Sequence, residues 1–150
     1  MRFTALEAIE EAVIYLDGAS SGNPGPAGIG VIIKDVNGKD LVEYSEFLGQ
    51  ELTNNQAEYL AVIRGLQLAT SLIKGAKKVK VVTDSELIVR QMTGTYSVRS
   101  ENIRPLFLRA KELERSFEAV TYVHVPRDFN ARADELARKA IERVSLELRG

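Results

Sequence analysis

Three β-rich runs follow one another before the first helical pattern begins, and this order constrains the chain more than any other feature. The first, Ala12 to Asp17, reads as a short buried strand, and the GASSGNPGP segment after it has the composition of a loop. The second, Ile29 to Asp35, meets the third, Asp40 to Leu48, across Val36-Asn37-Gly38-Lys39. Asn-Gly is the preferred centre of a type I′ hairpin turn, so three consecutive antiparallel strands are expected.

Thr53 stands three residues before Gln56, the spacing of a capping box, and a helical pattern runs on to about Ile73. Its apolar positions, among them Ala57, Tyr59, Leu60, Val62, Ile63 and Leu66, wrap around most of the helix, which predicts burial on several sides. Lys78 to Thr83 reads as a fourth strand with Asp84 at its end, and Leu87 to Met92 as a short helix. A further helix is predicted from about Glu101 to Phe117, with Pro105 in its first turn. A last strand, Ala119 to Val125, stops at Pro126, and Asn130 is placed to cap a final helix marked by Ala133, Leu136, Ala137, Ala140, Ile141 and Val144.

The order β-β-β-α-β-α-α-β-α predicts an α/β fold, a mixed sheet with helices packed on its faces. A length of 150 residues suits a single domain, with residues 12–146 as its body and 1–11 as an N-terminal extension that no pattern assigns. No run approaches the roughly 18 apolar residues of a membrane span, and MRFTALEAIEEA carries acids where a signal peptide has an apolar run. A cytoplasmic protein is expected.

Asp17 ends the first strand, Asp84 ends the fourth, and Asp134 falls in the first turn of the last helix. If those strands run parallel, all three acids reach the carboxyl edge of the sheet, where α/β folds build their sites, and Glu58 in the first turns of the long helix can face the same edge. Singly, each acid has an ordinary structural use: Asp17-Gly18 as a turn, Glu58 as a surface acid, Asp84-Ser85 as a helix cap, and Asp134 as a partner of a helix dipole. Together they would repel one another unless a cation sat among them. With no cysteine and one histidine, His124, the chain offers oxygen ligands, which suit magnesium. Two such ions about 4 Å apart serve phosphodiester hydrolysis. The net charge of −1 does not separate the classes, because an acidic centre offsets basic residues elsewhere.

The segments around these acids resemble the type 1 ribonuclease H family. YLDGASSGNPGPAGIG is similar to its D-G…N-P-G-P…G-x-G opening, TNNQAEYLAVIRGL to its T-N-N-x-x-E helix, VVTDSELIVRQM to its T-D-S strand end, and NARADELARKA to its N-x-x-A-D-x-L-A close. They follow the family's order from about Val13 to Ile141. The resemblance implies a ribonuclease H-like fold with a five-stranded mixed sheet. It implies an endonuclease that hydrolyses the RNA strand of RNA–DNA hybrids, leaving 5′-phosphate and 3′-hydroxyl ends. Asp17, Glu58, Asp84 and Asp134 become the catalytic set that binds Mg2+, with Mn2+ as a substitute and two ions present with substrate. Asn23, Thr53, Asn54 and Asn55 fall where relatives contact the hybrid; amides and hydroxyls both donate to and accept from a 2′-hydroxyl, although all four also suit turn and cap chemistry.

Two departures from the family pattern stand out. Many relatives carry a lysine-rich helix and loop that grip the hybrid, whereas here Met92 leads through GTYSVRS to the next helix, leaving any grip to Arg90, Arg99, Arg104 and Arg109. The mobile histidine of relatives has no counterpart in PRDFN, which offers Arg127 as an auxiliary, while His124 is expected to be a partly buried strand residue. Gly22, Gly25 and Gly28 join antiparallel strands and do not form a dinucleotide loop. A monomer is expected, and the alternatives are a non-catalytic hybrid-binding module or a nuclease of the same fold acting on double-stranded RNA.

Overall fold

The computed structural model describes residues 9–149; residues 1–8 of the expected extension lie outside the described residues. The elements are β1 (Glu11–Ser20), β2 (Gly25–Lys34), β3 (Asp40–Leu52), α1 (Asn54–Leu72), β4 (Lys78–Thr83), α2 (Glu86–Met92), α3 (Arg104–Glu114), β5 (Ala119–His124) and α4 (Ala131–Arg149), with a 3-10 turn at Arg127–Asn130. The sheet order is β3-β2-β1-β4-β5; β1, β2 and β3 pair antiparallel, and β4 and β5 run parallel to β1. This is the expected mixed sheet. No helix among the described residues is long and apolar enough to cross a membrane.

Alternation along β1 divides the core between two faces. Ile14 and Leu16 point to α1, where Gly65 lets the helix settle against them, and Tyr59, Val62 and Leu66 complete the layer at zero exposure. Each of these large side chains contributes roughly 1.5–3 kcal/mol by leaving water. α3 covers the outer side of α1, with Phe107 edge-on to Tyr59 at 6.5 Å, which is why the apolar positions of α1 spread so widely. On the opposite face α4 lies over β2 and its neighbours, presenting the small buried residues Ala133, Ala137 and Ala140.

Three local expectations change. β1 does not stop at Asp17: its parallel pairing with β4 ends at Tyr15, but its antiparallel pairing with β2 continues to Ser20, so much of the expected loop is strand. The hairpin between β2 and β3 is not type I′, because only Gly38 has positive φ; the Asp35 carboxylate accepts from the backbone N–H groups of Asn37 and Lys39 and holds the turn. Asn130 does not cap α4, since its Nδ2 donates instead to the Leu16 carbonyl at 2.8 Å, tying the start of α4 to β1. The Thr53–Gln56 capping box forms as expected.

Candidate active site

The sheet topology carries the expected acids to one edge. Asp17 lies just beyond the last β1–β4 pair, Asp84 just beyond the end of β4, and Asp134 in the first turn of α4. Asp17, Glu58, Asp84 and Asp134 line one open cavity of about 590 Å³. They come from four different elements, so the set exists only in the folded chain.

Two glycines permit this convergence. Gly18 follows Asp17 and faces α1, where an added Cβ would lie 2.2 Å from the Ala57 carbonyl and 2.5 Å from the Glu58 nitrogen. Gly30 pairs with Asp17 across β1 and β2 and meets α4 in the same way. Without side chains at these points, the backbones of α1 and α4 approach the sheet on either face, bringing Glu58 and Asp134 to Asp17.

Burial pushes the Asp17 carboxyl up to about 9, reinforced by a hydrogen bond with Asp134 and by the charges of Asp84, Asp134 and Glu58. Burial likewise raises Glu58 to about 7, opposed by a hydrogen bond from Ser85 and assisted by Asp84. Ser85 also accepts from Ile88 N at 3.2 Å, so it caps α2. Asp134 is engaged by arginine: Arg138 Nη2 donates to Oδ2 at 2.5 Å, and Arg127 Nη2 stands 3.6 Å from Oδ1. Asp17, Glu58 and Asp84 have no such cationic partner among the described residues, and the set fits hard cations in the kind of donor it offers. As arranged, no three acid or histidine side chains among the described residues stand close enough to share one ion.

A second cavity of about 440 Å³ shares Asn54 and Asn55 with the first and adds Asn23 and Thr53. Three of the acceptor oxygens here are already used. Asn54 Oδ1 accepts from Ser20 N at 3.0 Å and Ser20 Oγ at 2.8 Å, Asn23 Oδ1 accepts from Asn54 N at 3.0 Å, and Thr53 Oγ1 accepts from Gln56 N at 3.1 Å. Backbone N–H groups only donate, so they fix both amides and leave their NH2 groups to serve the cavities.

Sequence reasoning missed several lining residues. Arg138 was legible only as the fourth residue after Asp134, and Gln91, Ser100 and Asn102 of the second cavity carry no spacing signal. Gln91 is positioned from the core, where Tyr59 O–H donates to its Oε1 at 2.6 Å. Arg127 reaches the rim of the first cavity as expected, but His124 is exposed rather than partly buried, because β5 is an edge strand and α4 packs over β1, β2 and β3. The segment between α2 and α3 holds no helix.

A family model described as Reverse transcriptase-like matches residues 15–140. Ribonuclease HI of Halobacterium salinarum is 39% identical over 128 residues, which is 85% of this chain and 63% of that protein. The chain spans only 36% of the Bifunctional protein Rv2228c of Mycobacterium tuberculosis, at 38% identity over 88% of its own length. Ribonuclease H of Ruegeria pomeroyi is 32% identical over 88% of this chain and 93% of that protein. Among solved structures, the N-terminal RNase H domain of Rv2228c superposes with a TM-score of 0.86 at 37% identity, covering 93% of this chain and 99% of that one. LC11-RNase H1, solved in complex with an RNA/DNA hybrid, gives 0.82 at 43% identity over 89% and 98% of the two chains.

Proposed function

The chain belongs to the type 1 ribonuclease H family, and on that premise we propose that it is a metal-dependent endonuclease hydrolysing the RNA strand of RNA–DNA hybrids. The observation that carries this reading is the meeting of Asp17, Glu58, Asp84 and Asp134, from four elements, in one cavity. The hybrid bound by LC11-RNase H1 supports the choice of substrate.

In this reading the four carboxylates hold Mg2+, or Mn2+ in its place, as two ions once substrate is bound. Such ions supply the positive charge that keeps the acids ionised and offsets charge building on a reacting phosphate. Asp17 and Asp134 are the buried, fixed pair. Asp84 leans towards Asn130 Nδ2 at 3.5 Å. The amide donors of Asn23 and Asn54, with the Thr53 hydroxyl and Asn55 beside them, face acceptors that a hybrid offers in quantity: phosphate oxygens, 2′-oxygens and minor-groove base atoms. Arg127 assists from the rim, where a guanidinium suits phosphate.

The family resemblance adds 5′-phosphate and 3′-hydroxyl products. A core cluster from Ile9 to Tyr122, with α4 packed over β2 on the other face, supports a single domain with residues 12–146 as its body. A monomer in the cytoplasm completes the proposal.

The test is cleavage of an end-labelled RNA–DNA hybrid with magnesium, with manganese and with EDTA, beside Asp84→Asn and parallel double-stranded RNA and DNA substrates. Metal-dependent cutting of the RNA strand alone, lost in the variant, is the expected result. No cutting under any metal would leave a hybrid-binding module, and cutting of double-stranded RNA would change the substrate.

A further inference from the structure

Asp134 differs from the other acids in already having cationic partners. Arg138 donates from Nη2 to its Oδ2 at 2.5 Å, and Arg127 approaches Oδ1 at 3.6 Å. The carboxylate side chain is 7% exposed while Arg138 is 61% exposed, so the acid is held in place and the cation is free to leave it. Arg138 lines the cavity, and so does Glu142, one further turn along α4. The helix therefore presents carboxylate, guanidinium and carboxylate at four-residue steps, the spacing at which helical neighbours meet.

Resting on the ribonuclease reading, we propose that Arg138 is a displaceable counter-ion of Asp134. In the metal-free protein its guanidinium neutralises a buried carboxylate that would otherwise face Asp17 without compensation. A divalent cation and a guanidinium compete for the same oxygens and repel each other, so metal entry releases Arg138 towards Glu142 and the open cavity. There it meets a phosphate of the incoming strand. Arg138 thus weakens metal binding in the free protein and strengthens hybrid binding in the loaded one. Arg127 plays the lesser part, since at 3.6 Å and 73% exposure solvent screens most of its attraction.

The two cations are separable by experiment. Mn2+ affinity is measured without nucleic acid by electron paramagnetic resonance of the free ion, alongside thermal melting with and without Mn2+, for the wild type, R138Q and R138K. R138Q is expected to bind Mn2+ about three- to tenfold more tightly, the effect of removing a cation paired to a buried acid. It should melt lower without metal and gain more on adding it, and R138K should return towards the wild type. On a hybrid, R138Q should raise KM more than it lowers kcat. A purely structural arginine would lower the melting temperature without tightening Mn2+, and that result in folded R138Q overturns the proposal. Wild type that cuts no hybrid while R138Q still binds Mn2+ more tightly would remove the ribonuclease reading and keep the counter-ion.

Discussion

A Cβ on Gly30 would stand 2.1 Å from the carbonyl oxygen of Ala133, so β2 and α4 meet through bare backbone directly across from Asp17. Asp134 follows Ala133 in sequence, which makes this approach the device that sets one catalytic candidate against another. Gly18 against Ala57 does the same for Glu58 on the other face.

Gly30→Ala and Gly18→Ala therefore force a helix away from the sheet, because the obstructing atoms are backbone and cannot rotate aside. Each is expected to lower stability by about 1–3 kcal/mol and to weaken metal binding beyond what the stability loss explains. Denaturant melts combined with Mn2+ titration of the folded fraction check this; full metal affinity in either variant would contradict it.

Asp17→Asn is expected to abolish cleavage and yet stabilise the metal-free protein. The folded chain retains the Asp17 proton up to about 9, whereas the reference value is 3.8. Stability from this group is present below pH 3.8 and falls as pH rises towards 9. At neutral pH the variant should gain on the order of 1–3 kcal/mol, and the gain should vanish near pH 4. Melting curves across that range without metal decide it, a constant difference being the contrary result.

Mg2+ should raise the melting temperature of the wild type more at pH 8 than at pH 6, because Glu58, raised to about 7, loses its proton across that range and the carboxylate set gains charge. EDTA should reverse the rise. Asp84→Asn should show a smaller increment together with loss of cleavage, and an equal increment would remove Asp84 from the metal set.

Asn54→Asp keeps the acceptor that Ser20 uses but replaces the outward NH2 with a second oxygen. The variant should fold normally while its KM for a hybrid rises about tenfold or more, since a charge that repels phosphate replaces a donor. Asn54→Ala should raise KM less but cost some stability. Equal KM values for Asn54→Asp and the wild type would place Asn54 outside the binding surface.

His124→Ala should leave kcat within about twofold, because the exposed ring sits at the end of an edge strand and does not line either cavity. Arg127→Ala should lower activity several-fold through KM, in line with a solvent-screened phosphate contact. A steady-state comparison of the two variants separates them.

Local chemistry was legible wherever a residue's partner lay within a few positions. The Thr53–Gln56 capping box, the strand Lys78–Thr83 and the apolar positions of α1 all follow from neighbours in sequence, and they appear where expected. The element order and the mixed sheet followed from them. Expectations failed where a distant partner decides the outcome. β1 runs past Asp17 because β2 is there to pair with it, Asn130 turns to Leu16 rather than to its own helix, and His124 is exposed because α4 packs elsewhere.

The sequence by itself determined the identity of the acids, the elements that bear them and the glycines beside them. Tertiary structure alone decided that Asp17, Glu58, Asp84 and Asp134 share one cavity, that Asp134 is buried beside its helical neighbour Arg138, and that Ser20 and Asn54 N turn two amides so that donors remain free. The reason is range. Capping and periodicity act over a turn of chain, whereas electrostatic repulsion, burial and close backbone approach depend on which atoms the fold brings together.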